Sequence, residues 1–145
     1  MYKALDIARK LLKMATERDN CFDLMSNMKL QKMLYYQQGY HLAVFDEPLF
    51  EEKIEAWMYG PVVPCVFEEY KNNGRKGIEY NGDVITLQDE EEELFCEVFE
   101  TYAKYSAYGL SNMTHNEEPW KSVSAGKGNV ISNDVMKSFF KTMIE

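Results

Sequence analysis

Ser111 and His115 share one short stretch, and Cys65 lies just beyond a glycine–proline pair; these side chains could supply a nucleophile and a base. Hydrolytic chemistry would need that base to orient and deprotonate the hydroxyl or thiol. Neither pairing, Cys65 or Ser111 with His115, carries a sequence signature. Cys65 sits within the apolar run "PVVPCVF", where a thiol is normally inert, so no residue is assigned a catalytic role. A hydrolytic enzyme using His115 stays as an alternative reading. Gly126-Lys127-Gly128 invites comparison with phosphate-binding loops, but the spacing that cradles a phosphate, G-x-x-x-x-G-K-[ST], is absent. The two histidines, His41 and His115, fall on separate elements, short of the three or four converging ligands that a metal needs. No metal and no cofactor is assigned.

The elements that must position these residues read as mainly helical. Leu5, Ala8, Leu11, Leu12 and Ala15 share one face at helical spacing, which predicts a helix over residues 2–17. A second helix is expected from a cap at Ser26 or Asn27 to about Ala43, with Leu30, Met33, Leu34 and Tyr40 inward. Asp46-Glu47-Pro48 reads as a turn. Glu52–Tyr59 reads as a short strand whose alternation sets Glu55, Trp57 and Tyr59 against Ala56 and Met58, and either set can be core. Gly60-Pro61 then becomes the corner into a helix whose first turn holds Pro61 and Pro64 and which ends by Asn72-Asn73-Gly74. In "GRKGIEYNGDVIT", two more extended pieces are expected around the hairpin signal Asn81-Gly82-Asp83.

Asp89 to Glu93 is an acidic run, and Thr86-Leu87-Gln88-Asp89 before it resembles a capping box. Acids suit a helix N-terminus, so the run has a structural explanation. The helix that it opens should bury Leu94, Phe95, Val98, Phe99 and Tyr102. A break at Ser106 to Gly109, a short helix over Leu110 to Asn116 and a stop at Pro119 follow. Ser132 caps a last helix that carries Val135, Met136, Phe139, Phe140 and Met143 on its apolar face. The fold class is therefore mainly α (α+β): a single domain, residues 1–145, of about five to six helices with a small antiparallel β element.

With 24 acids against 16 bases the net charge is −8, a field that repels phosphate backbones and disfavours direct nucleic-acid binding. No apolar stretch approaches the roughly 20 residues that cross a bilayer, and no signal sequence is evident, so the chain reads as cytoplasmic, off the membrane. Cys21, Cys65 and Cys96 are odd in number and far apart, and read as reduced packing residues.

Three stretches, "MKLQKMLYYQQGYHLA", "PLFEEKIEAWMYGPVVPCVFEEYK" and "LSNMTHNEEPWKS", followed by a terminal "ISNDVMKSFF", resemble the Panacea-domain antitoxins, a family that includes SocA-like and GepA-like phage-associated proteins. The residues that fit are Lys29, Leu30, Lys32, Leu34 and Tyr35; Ala56, Trp57, Gly60, Pro61 and Val62; and Thr114, His115, Pro119 and Trp120. The resemblance implies an antitoxin that neutralises a cognate protein toxin by direct binding. It also leaves open a proteolytic adaptor that hands the toxin to a ClpXP-type protease. Relatives often carry an added DNA-binding module, whereas this domain fills the chain, so operator contact is not expected. The motif residues read as scaffold, and exposed aromatics among Tyr35, Tyr36 and Tyr59 are the candidate partner contacts. Homo-oligomerisation stays open.

Overall fold

A computed structural model describes residues 1–18 and 24–144, in which seven α-helices and one two-stranded antiparallel sheet follow one another along the chain. Helix α1 spans Ala4–Thr16 and α2 Asn27–Phe45; strands β1, Glu55–Trp57, and β2, Gly60–Val62, come next. Helix α3 covers Pro64–Tyr70 and runs into a 3₁₀ turn at Lys71–Asn73. The remaining helices are α4, Asp89–Tyr102; α5, Ala107–His115; α6, Glu118–Lys121; and α7, Asn133–Met143. None is long and apolar enough to cross a membrane.

Helix α2 is the axis of the molecule, touched by α1, α3, α4, α5, α7 and β2. Every residue from Leu30 to Gly39 is buried, polar ones included. A helix buried all round must find partners for its polar side chains, and these partners are backbone groups of two connections and of α4. Gln31 accepts from the Val63 amide at 2.9 Å and donates to Asn27. Gln37 donates to the Phe95 carbonyl at 3.0 Å. Gln38 accepts from the Leu49 and Phe50 amides and donates back to the Phe50 carbonyl. The central helix thus fixes two connections and one neighbouring helix by side-chain bonds to their backbone.

The caps work as their residue types dictate. Ser26 accepts from the Lys29 amide, Ser106 from the Gly109 amide and Ser132 from the Asp134 amide. Glu91 accepts from the Gln88 amide to close the box before α4, so the acidic run is a helix opening. Asp46 ends α2 in the left-handed region (φ 61°), and Lys137 of α7 pairs with its carboxylate at 2.9 Å.

Several expectations fail for identifiable reasons. Asn81-Gly82 makes no hairpin: the segment runs along α1, where Lys13 and Lys10 donate to the Gly82 and Ile85 carbonyls and Thr16 accepts from the Tyr80 amide. Ile78 alone forms a bridge, to Met25. Pro61 lies in β2 and not in a helix; Pro64 alone opens α3. Cys65 and Cys96 are exposed and are not packing residues; Cys21 lies outside the described residues. Met143 of α7 is exposed as well, while Met136 and Phe140 carry that helix's burial. The extra helix over the expected number is α6, a single turn with Pro119 at its start.

Candidate functional site

Met58 and Tyr59 form the tip of the hairpin that joins β1 to β2, with Trp57 opposite Gly60 in the register. A two-residue tip leaves its carbonyls without ladder partners, and a neighbouring helix pair takes them up. Trp120 Nε1 donates to the Trp57 carbonyl at 2.8 Å, His115 Nε2 to the Met58 carbonyl at 2.8 Å, and Ser111 Oγ to the Tyr59 carbonyl at 2.8 Å. A carbonyl can only accept, so His115 carries its proton on Nε2 here. Ser111 and His115 lie four residues apart on α5, hence on one face. The indole of Trp120 meets the His115 ring edge-on at 4.2 Å and keeps both donors aimed.

Beneath the tip, Gly60 adopts φ +130°, where a Cβ would lie 3.1 Å from Lys32 Cε and 3.1 Å from Thr114 Oγ1. Lys32 itself is fully buried; its ammonium donates to the Met28 carbonyl, and burial lowers its pKa to about 8. Thr114 donates to the Ser111 carbonyl. A Gly60→Ala variant is therefore expected to lose about 1–3 kcal/mol of stability, since it meets both a strained dihedral and two close neighbours. Chemical denaturation measures it, and unchanged stability would refute this account of the corner.

On the outer side of β1, the Trp57 ring is half-buried: it packs on Phe67, lies under Lys127, and donates through Nε1 to Glu55. The glycine-rich loop closes over this edge. The Gly128 amide donates to Glu55, the Gly126 amide to the Ala56 carbonyl, and the Ile131 amide to the Ile54 carbonyl. Gly126-Lys127-Gly128 is thus bonded along β1.

The family model described as "Antitoxin SocA-like, Panacea domain" matches residues 30–121, which include all but the first three residues of the axis helix, the hairpin and the clamping helices. The chain belongs to the SocA-like Panacea-domain antitoxin family. Antitoxin SocA of Caulobacter vibrioides (strain NA1000 / CB15N) is 36% identical over 72 residues, 49% of this chain. The match spans 38% of that relative's length. No solved structure matches.

In this Panacea domain the three sequence stretches meet in one place. Lys32 from α2, Gly60 from the hairpin and Thr114 from α5 touch, while His115 and Trp120 hold the tip. Ala56, Pro61, Val62 and Pro119 are buried around them, and Leu30 and Leu34 lie in the core. Lys29 stands at the start of α2, where it donates to the Ala103 carbonyl. Tyr35 and Tyr36, expected as exposed partner contacts, are fully buried. Their hydroxyls donate to the two carboxylate oxygens of Glu117 at 2.9 Å each. The alternation expected for β1 breaks at the tip, so Met58 and Tyr59 are both exposed, at 70% and 63%, while Ala56 alone is core.

Glu117 was legible only as one of two acids before Pro119. Burial drives its carboxyl up to about 7, against the downward pull of the two tyrosine hydroxyls. The same burial, then the Glu117 charge, pushes both tyrosine hydroxyls far above their ordinary value. A second residue missed at first is Tyr108 on α5, 77% exposed and lining the same groove as Tyr59 and Met28.

Proposed function

We propose that this Panacea-domain protein neutralises a cognate protein toxin by gripping it with the face made of the hairpin tip and α5. The observation that carries this is the pair of exposed tyrosines, Tyr59 and Tyr108, lining one groove of about 450 Å³ on an immobilised turn. Exposed aromatics on rigid supports are favoured interface anchors, because large area is buried with little loss of rotamer freedom. The clamp supplies that rigidity: each tip carbonyl is already bonded, so docking need not order the loop. Ser111 and His115 are engaged in the same clamp, which favours scaffolding over catalysis.

The test is co-expression with the product of the adjacent gene. Growth should be rescued by the intact chain, and purified complex should form. Tyr59→Ala and Tyr108→Ala should each weaken that complex at least tenfold, as truncated hot spots do, while stability stays within about 0.5 kcal/mol of the parent. An adjacent product that is neither toxic nor bound would refute the reading. Shortened toxin half-life in the presence of a ClpXP-type protease would mark delivery to a protease instead of simple sequestration.

A further inference from the structure

The groove that holds Tyr59 and Tyr108 does not end at them. It shares Ser26, Arg75 and Ala107 with a second, more polar pocket of about 300 Å³ that Lys104 and Lys29 also line. None of the described residues lining either pocket is a carboxylate, on a chain with 24 acids and 16 bases. Arg75 is exposed and ion-pairs with none of the described residues. The Lys104 ammonium lies over the Tyr105 ring at 5.4 Å and reaches no carboxylate among them. Lys29 is tied to the Ala103 carbonyl. The result is a track, apolar at the Met28, Tyr59 and Tyr108 end and cationic at the Arg75 and Lys104 end.

We infer that this track takes an extended polypeptide segment in which a large apolar side chain stands next to Asp or Glu. The apolar residue seats among Met28, Tyr59 and Tyr108, and the neighbouring carboxylate pairs with Arg75, whose planar fork suits two-point recognition of a carboxylate. A small free anion would satisfy the cations but leave the apolar end wet. The inference deepens the toxin-binding reading, on which it rests for the partner's identity: the toxin would present such a segment. Opposite charge across a small local patch also sets orientation, while the −8 of the whole chain repels acidic proteins that lack the apolar anchor.

A phage-displayed library of random decapeptides, selected on the full chain, tests this without knowledge of the toxin. The selected pool should be enriched in Asp or Glu beside aromatic or large aliphatic residues. A peptide from that pool should lose at least tenfold in affinity on the Arg75→Glu/Lys104→Glu double variant and on Tyr108→Ala, and selection on the double variant should enrich Lys and Arg instead. A Lys53→Glu control, on the exposed stretch before β1, should leave affinity unchanged. A pool without acidic enrichment, affinity indifferent to the double reversal, or tighter binding of a single-stranded RNA oligomer than of any peptide would overturn it. Growth rescue intact in the double variant would overturn the track and spare the toxin reading. Failure of the adjacent gene product to bind, with the peptide pattern intact, would do the reverse.

Discussion

Raising the pH from about 4.5 to 8 is expected to cost the parent protein about 3 kcal/mol of stability that a Glu117→Gln variant does not lose. Glu117 is only 9% exposed and is held by Tyr35 and Tyr36. Burial lifts its carboxyl from the ordinary 4.5 to about 7. Below about pH 4.5 the group is protonated folded and unfolded alike, and its burial carries no ionic penalty. Between 4.5 and about 7 the unfolded chain releases the proton while the folded chain keeps it, so stability falls as pH rises; above about 7 both are ionised and the loss levels off. Each unit of displacement corresponds to about 1.4 kcal/mol, which sets the size. Glutamine is isosteric, keeps an oxygen for one tyrosine and offers its amide to the hydroxyl oxygen of the other, so the fold should survive.

Other groups slope the opposite way. Burial pushes the Glu91 carboxyl up, but bonds from Tyr2 and His41 outweigh it and leave it lowered, so Glu91 favours folding as pH rises. Only the difference between parent and variant isolates Glu117. Urea titrations of both proteins at matched pH values provide it. A difference flat across pH 4.5–8 would show that Glu117 is not held neutral, and with it the account of the α5–α6 junction would fall.

The sequence disclosed what repeats or punctuates. The apolar spacing of α1, α4 and α7 and the serines before α2 and α7 placed those helices within a few residues of their observed ends, because periodicity and caps are local. Tyr35 and Tyr36 were misjudged as surface because α2 is surrounded on all sides and has no solvent face to contrast with. The Asn81-Gly82 turn signal lost to donors from Lys10 and Lys13, some seventy residues away, which satisfied the backbone without a partner strand. The motif residues were visible as a pattern, but not their task. Nothing in Thr114, His115 or Trp120 announces which carbonyl each will serve, since a backbone acceptor has no residue type. Tyr108 was passed over because Ser106 to Gly109 reads as a break, whereas Ser106 caps α5 and sets Tyr108 in its first turn, exposed, while Leu110 and Ser111 take the buried face.

A Gly39→Ala variant should lose about 2 kcal/mol, although alanine is the better helix former. The gain in helix propensity is about 1 kcal/mol, since a mid-helix glycine lacks that much relative to alanine. Against it stands contact: a Cβ at Gly39 would lie 2.1 Å from Phe140 Cε2 and 2.2 Å from its Cδ2, where α7 crosses α2. Phe140 cannot swing aside, because its ring is fully buried and set edge-on against Tyr35 at 5.4 Å and Tyr36 at 5.9 Å, with Tyr40 at 4.9 Å and Phe139 at 5.0 Å. Overpacking of this kind typically costs about 1–3 kcal/mol, and an approach of 2.1 Å belongs at the upper end, which outweighs the propensity gain. Phe140→Ala removes the ring atoms that the methyl would strike. The double variant should therefore be more stable than the sum of the two single losses by at least 1 kcal/mol, the sign of coupling expected for residues in direct contact. Additive losses, or a Gly39→Ala variant as stable as the parent, would mean that α7 can slide on α2 and that the helix crossing is not fixed by this glycine.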